Sequence, residues 1–232
     1  MKRKIYVMLQ LCIFVMIFTG CSGANKSTSA GLQTQVKSDN VSEDEKANAT
    51  KDTAVVILNW NGEQTLRQFL PSVLQHTQVP DVEIVVADNG STDNSLEYLR
   101  TQPVRVIALE ENYGFAGGYN HAIDQVDAKY TVLLNSDVEV TPHWLDTMLA
   151  YMDAHPEVDL CSCGMELFGA KQETWVRETN PEDVKITALF HSPILHASSV
   201  WRRTSFESVG LLYKQEMVPA EDYDMWTRAM AA

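Results

Sequence analysis

The chain is short of basic residues, and the shortage is concentrated. Its 232 residues carry 18 Lys and Arg against 31 Asp and Glu. Seven basic and four acidic residues precede Asp52, so the remainder holds 11 basic against 27 acidic groups, a net charge of −16. Such a domain has no clustered Lys and Arg to neutralise phosphates, which argues against nucleic acid as a partner. A diphosphate ligand would need a divalent cation between itself and the protein. Cysteine is scarce too. Cys12, Cys21, Cys161 and Cys163 suit no disulfide framework, and the C-x-C pair lacks partner ligands for zinc. Internal repeats are missing, as is an apolar run of comfortable membrane-spanning length. The longest such run, Ile5 to Phe18, follows Lys2-Arg3-Lys4 and ends in Thr19-Gly20-Cys21.

A basic start, a short apolar stretch and small residues form the pattern of an export signal. Phe18-Thr19-Gly20-Cys21 resembles a bacterial lipobox, so residues 1–21 are expected to be a signal ending at a lipidated, membrane-associated Cys21. The alternative is an uncleaved anchor with the domain on the cytoplasmic face of the inner membrane. Residues 22–52 are polar and poor in large apolar groups, which predicts a disordered tether. The folded domain is expected over 53–232, as a first half (53–155) and a second half (156–232).

Within the domain, Thr53 to Leu58, Val82 to Ala87, Val104 to Ala108 and Tyr130 to Leu134 are apolar runs of strand length. Helical spacing lies between them: Leu66, Phe69, Leu70, Val73 and Leu74; Leu96 and Leu99; Tyr119 to Val126; Trp144, Leu145, Met148, Leu149 and Met152. Ser91-Thr92-Asp93 is placed to cap the second of these helices. Such alternation predicts an α/β doubly wound, mostly parallel sheet. Beyond His155 the pattern loosens. Leu160 to Phe168 and Leu195 to Trp201 are expected as strands, Val184 to Phe190 and Glu221 to Met230 as helices.

Three acidic clusters fall at strand ends or a helix start: Asp88-Asn89-Gly90-Ser91-Thr92-Asp93, Asn135-Ser136-Asp137-Val138-Glu139 and Glu221-Asp222-Tyr223-Asp224. In an open parallel sheet the carboxyl ends of the strands border the ligand crevice. If Asn135 to Glu139 is extended, its alternate side chains point one way. One carboxylate beside amide and hydroxyl oxygens suits a hard cation that keeps waters and binds ligand phosphates. The first strand-to-helix turn, Asn59-Trp60-Asn61-Gly62, lacks the glycine spacing of a dinucleotide site. It also lacks the basic phosphate loop of a nucleotidyltransferase. Gly114-Phe115-Ala116-Gly117-Gly118 serves either a ligand or a closely packed helix entry.

The order and spacing of these segments resemble glycosyltransferase family 2, the inverting enzymes of the GT-A (Rossmann-like) fold. The likeness rests on Ile57 to Gly62, Val86 to Asp93, Glu111 to Asn120, Leu133 to Asp137 and Glu221-Asp222, and covers roughly residues 53–229. It implies that Asp88 pairs with the nucleobase edge, that Asn59 and Asn61 line the same pocket, and that Asn112 and Gly114 lie along the ribose or diphosphate. Asp137 matches the last acid of the family's D-x-D motif, holding Mn²⁺ or Mg²⁺, with Asn135 in place of the first. Asp222 is then the base of a Glu221-Asp222 pair, and Trp226 and Arg228 fit the helix that follows. His196 and Arg202 resemble a segment on the sugar and diphosphate side. The implied activity is transfer of a hexosyl or rhamnosyl group from a UDP- or dTDP-linked donor to a cell-surface glycan or glycolipid. The competing expectation is a tethered binding module with a degenerate transferase fold. The half before His155 and the half from Cys161 resemble different branches of the family, which points to a mosaic joined near Val158.

Overall fold

The computed structural model of this chain describes residues 3–6, 51–169, 172–177, 180–208, 210 and 212–231. The expected lipobox and the expected tether up to residue 50 lie outside them. Nine strands are present among the described residues: β1 (Arg3–Tyr6), β2 (Lys51–Asn59), β3 (Val82–Asp88), β4 (Arg105–Ala108), β5 (Ala128–Asn135), β6 (Leu160–Ser162), β7 (Met165–Gly169), β8 (Glu173–Trp175) and β9 (Ser199–Arg202). The helices are α1 (Glu63–His76), α2 (Ser95–Leu99), α3 (Gly114–Asp124), α4 (Trp144–Ala154), α5 (Pro181–Thr187), α6 (Arg203–Ser208) and α7 (Glu221–Ala231). None of the described helices is long and apolar enough to cross a membrane.

The main sheet runs β4-β3-β2-β5-β9-β6. Its first four strands are parallel, and β9 lies antiparallel between β5 and β6. The doubly wound sheet expected from the alternating runs is the one observed. β2 is apolar without interruption because both its faces are covered. Val55 and Ile57 face a core closed by Leu66, Leu70 and Val73 of α1 and Trp144, Leu145 and Met148 of α4. Ala54 and Val56 face a second core with Tyr119 and Ala122 of α3 and Met225 and Trp226 of α7. Fully burying each such large side chain contributes about 1.5–3 kcal/mol, which fixes α3 and α7 on one face of the sheet.

The chain order creates the crevice. From β2 it moves outward to β3 and β4, then crosses back to β5 on the other side of β2, so the loops leaving β2 and β5 diverge. Register pairs Asn59 with Asp88 and Leu58 with Asn135, which brings three expected site residues level at one edge.

Several boundaries differ from expectation. Helix α3 starts at Gly114 rather than Tyr119, so the glycines lie inside its first turns. A Cβ at Gly118 would come 2.8 Å from both Leu58 Cδ1 and Asn89 Nδ2, so this glycine serves close helix-to-sheet packing. The run from Leu160 to Phe168 divides into β6 and β7, and β1-β7-β8 form a separate antiparallel sheet in which Arg3 pairs with Gly169. Helix α5 begins three residues earlier than expected, and β8 and α6 were not foreseen. The Leu195 to Trp201 stretch opens as a 3-10 turn, His196–Ser198, before β9.

Candidate active site

Two adjoining cavities occupy the crevice. The larger, about 560 Å³, is walled by Trp60, Asn89, Asn112, Gly114, Phe115, Asn135 and Asp137. The smaller chamber, about 200 Å³, is lined by Asn135, Asp137, Trp175, Arg177, His196 and Asp222 among others. Asn135 and Asp137 stand on the wall common to both. The extended geometry expected from Asn135 to Glu139 is not adopted, because the strand ends at Asn135 and the chain turns through Ser136 and Asp137. That turn swings Asp137 toward the crevice and leaves Glu139 off both walls.

The loops after β2 and β3 are tied to each other. Asn59 Nδ2 donates to Asp88 Oδ2 (2.9 Å), and the Ser91 amide donates to Asp88 Oδ1 (2.9 Å). Asn61, at φ +48°, accepts the Thr92 amide on Oδ1 (2.7 Å), while its own amide donates to Ser91 Oγ (2.8 Å). Asp93 accepts from the amides of Glu63 and Ser95 (3.0 Å each), so it caps the starts of α1 and α2 together. Asp88, Asn59 and Asn61 thus hold loop to loop, and Asp88 is fully buried rather than open to a nucleobase. The side chain that reaches the cleft at this point is Asn89. It donates to Asn112 Oδ1 and the Gly114 carbonyl (2.9 Å each) and accepts the Tyr113 amide (3.0 Å).

The Glu221-Asp222 pair divides its orientations. Asp222, in the first turn of α7, faces the small chamber; burial raises its carboxyl above the ordinary value, against the lowering effect of the Tyr223 amide. Glu221 turns inward, is 9% exposed, lies on neither cavity wall, and has Oε2 buried without a hydrogen-bond partner among the described residues. The 3-10 turn before β9 delivers His196 to the chamber, where Nε2 hydrogen-bonds the Tyr213 hydroxyl at 2.6 Å.

Arg202 is a clear correction. It pairs across the ladder with Tyr130, near the start of β5, which puts it at the opposite edge from the crevice. Its guanidinium donates to the Tyr130 hydroxyl (3.1 Å) and to the carbonyls of Met152 (3.0 Å) and Val158 (3.1 Å). It therefore caps the end of α4, a favourable place for a cation. Cys161 and Cys163 are free, and burial raises both thiols, that of Cys163 to about 11, so neither is a thiolate at neutral pH.

Burial lowers His196 from 6.5 to about 3, so the ring is neutral at physiological pH and brings no charge to the chamber. The folded state refuses a proton that the unfolded chain accepts. Stability from this group is complete above pH 6.5 and is lost as pH falls toward 3, by up to about 1.4 kcal/mol per unit. Thermal melting of His196→Gln between pH 5 and 7 should show a flatter dependence than the parent. Parallel curves would contradict the assignment.

Sequence reasoning missed the parts played by Asn120, Gln215, Trp175 and Arg177, and placed Arg228 only as fitting the last helix. Asn120 of α3 clamps Tyr213 from both sides, donating to its carbonyl (2.8 Å) and accepting its amide (3.0 Å). Gln215 Nε2 donates to the Tyr113 carbonyl (3.2 Å) and fills the space above Gly117. From α7, Arg228 donates to the Leu212 carbonyl (2.6 Å) and pairs with Asp224 (2.7 Å). These contacts strap residues 212–220 over the start of α3 and lead the chain into Asp222. Trp175 and Arg177, at and beyond the end of β8, complete the small chamber.

No three His, Cys, Asp or Glu side chains among the described residues gather closely enough to hold a metal ion unaided. The donors present nevertheless fit one. Asn135 Oδ1 is buried with no hydrogen-bond partner among the described residues and shares both cavity walls with Asp137. A carboxylate with an amide oxygen is a partial shell suited to Mg²⁺ or Mn²⁺, the remaining ligands being waters and phosphate oxygens.

A mostly parallel sheet with its crevice at the β2/β5 switch point, bordered by Asp137 and Asp222, defines the GT-A fold. The chain belongs to glycosyl transferase family 2, whose model matches residues 54–210. It is 22% identical over 190 residues to an uncharacterized glycosyltransferase of Haemophilus influenzae, covering 75% of this chain and 58% of that protein. It is 27% identical over 187 residues to the amylovoran biosynthesis glycosyltransferase AmsE of Erwinia amylovora, covering 77% and 69%. Among solved structures it is similar to Staphylococcus aureus TarS 1-349 in complex with UDP, with TM-score 0.63, 21% identity, and 77% and 55% of the two chains covered. The mannosyltransferase PcManGT of Pyrobaculum calidifontis, in complex with GDP-Man and Mn²⁺, gives TM-score 0.59, 18% identity, and 78% and 52% covered. The chain therefore spans little more than half the length of several proteins it matches.

Proposed function

We propose that this chain is an inverting glycosyltransferase that moves a sugar from a UDP- or dTDP-linked donor to a hydroxyl of a cell-surface glycan or glycolipid. The observation that carries this reading is the common wall of Asn135 and Asp137, with the nucleotide-sized cleft on one side and Asp222 across the small chamber on the other. Family membership supports the reaction class, and AmsE, a biosynthetic enzyme for amylovoran, supports a polysaccharide product. The nucleotide would enter beside Trp60, Asn89 and Asn112, so that the diphosphate reaches Asn135 and Asp137. The sugar would then project toward Asp222.

In this arrangement Asp222 accepts the proton of the attacking hydroxyl as its oxygen bonds to the anomeric carbon. The bond from that carbon to the diphosphate oxygen breaks on the opposite face, and the electron pair leaves with the nucleoside diphosphate, inverting the centre. The raised carboxyl of Asp222 suits this task, since a base is most effective when its pKa approaches the working pH. A cation held by Asp137 and Asn135 would supply charge compensation for the departing diphosphate. Mn²⁺ bound in PcManGT supports that role. The basic and apolar start of the chain supports membrane association through a lipidated Cys21, the alternative being an anchor with the domain on the cytoplasmic face, where nucleotide sugars are made.

The test is calorimetric titration with UDP and with dTDP, with and without Mn²⁺. Binding of one nucleotide should strengthen at least tenfold with Mn²⁺, and Asp137→Ala should remove that enhancement. An unchanged enhancement in the variant would displace the metal assignment, and failure of both nucleotides to bind would favour a degenerate binding module.

A further inference from the structure

The small chamber holds one group that the proposed reaction does not use. Arg177 lines it together with Asp137 and Asp222, and its guanidinium lies 5.7 Å above the centre of the Trp175 ring. Its Nε is enclosed and has no hydrogen-bond partner among the described residues. Burial lowers the guanidinium's pKa. Conversely, burial raises Asp222 without any lowering by Arg177, so the two do not act as an ion pair. An enclosed guanidinium nitrogen left without a partner is costly, and it is retained to advantage when an incoming anion supplies that partner.

Two further features define what that anion is attached to. The chamber is small, adjoins the base, and is lined in part by the Trp175 indole, an apolar wall against which a sugar can pack. Arg177 is absent from the wall of the larger cleft, where the nucleotide would sit. The geometry points to Arg177, carried on Trp175, as an anion subsite for a carboxylate or phosphate borne by the sugar that occupies the Asp222 chamber. This inference rests on the transferase reading and narrows its substrates to acidic ones. The acid sits either on the transferred sugar or on the acceptor. Guanidinium geometry favours bidentate pairing, so lysine at this position should serve less well.

The deciding experiment is calorimetry on the full chain, its Arg177→Gln variant and its Arg177→Lys variant, with Mn²⁺ present and melting curves confirming folding. The donor arm compares UDP-glucuronate with UDP-glucose, and UDP alone serves as reference. The acceptor arm compares free glucuronate with glucose, and glycerol 3-phosphate with glycerol. In one arm the acidic compound should bind roughly tenfold or more tightly than its neutral counterpart. Arg177→Gln should erase that preference, Arg177→Lys should keep part of it, and UDP affinity should be equal in all three proteins. Absence of the preference in both arms, its survival in Arg177→Gln, or weakening of UDP itself by that substitution would overturn the inference. If UDP fails to bind the parent, the transferase reading fails, while the free glucuronate comparison still decides the subsite.

Discussion

Replacing Asp222 with asparagine is expected to lower turnover by roughly 10²–10⁴-fold, the usual contribution of a positioned general base. Asparagine keeps the size of the side chain and an oxygen that can still accept the Tyr223 amide, so α7 should start unchanged. What it loses is the capacity to take a proton from the acceptor hydroxyl. Binding of the nucleotide with Mn²⁺ should stay within about twofold, because an interaction made only in the transition state lowers kcat without touching the ground state. The pH profile gives the second reading. Activity of the parent should fall as pH drops through the raised Asp222 value, since the base must be ionised to act. In the variant that acid limb should vanish with the activity. Turnover within tenfold of the parent would place the base elsewhere.

Introducing alanine at Gly90 should destabilise the protein by about 2–4 kcal/mol and weaken UDP binding more than tenfold, through backbone strain together with overpacking. Gly90 has φ +70°, and a Cβ there would fall 2.5 to 2.8 Å from backbone atoms of Glu111 and Asn112. Backbone cannot rotate aside as a side chain can. The segment at 111–112 would have to shift, and with it the Asn89–Asn112 hydrogen bond on the cleft wall. Gly114 provides the control. Its φ is +71° but nothing lies within 4 Å of its Cβ position, so Gly114→Ala should cost only the conformational part, about 1–2 kcal/mol. Urea unfolding of both variants separates the two contributions, and equal losses would contradict the close approach at Gly90.

The sheet was legible because β2, β3 and β5 each carry a run of consecutive apolar residues, a pattern that needs no knowledge of partners. Helix α7 was legible from Glu221 to Met230 for a similar reason, since Met225, Trp226 and Ala229 fall on one buried face. Asp137 and Asp222 could be nominated because strand ends and helix starts are local features. Contacts that depend on distant partners left no local trace. Asn120 and Tyr213 are 93 residues apart, and nothing in the run Glu111 to Asn120 distinguishes the asparagine that holds the strap. Arg177 follows a three-residue strand too short for periodicity to reveal. Arg202 misled for the complementary reason. Its neighbours fit a segment near the substrate, but the strand carries it to the far edge, where the carbonyls at the end of α4 bind it.

Strand β9 has a consequence for ancestry. It runs between β5 and β6 and is hydrogen-bonded to both, so polypeptide from beyond residue 198 is woven into the sheet built by residues before 136. Two parental genes spliced near Val158 would have had to supply matching ladders at that seam from the first generation. The portions on either side are warp and weft of one fabric, each supplying the other with a ladder partner at the seam.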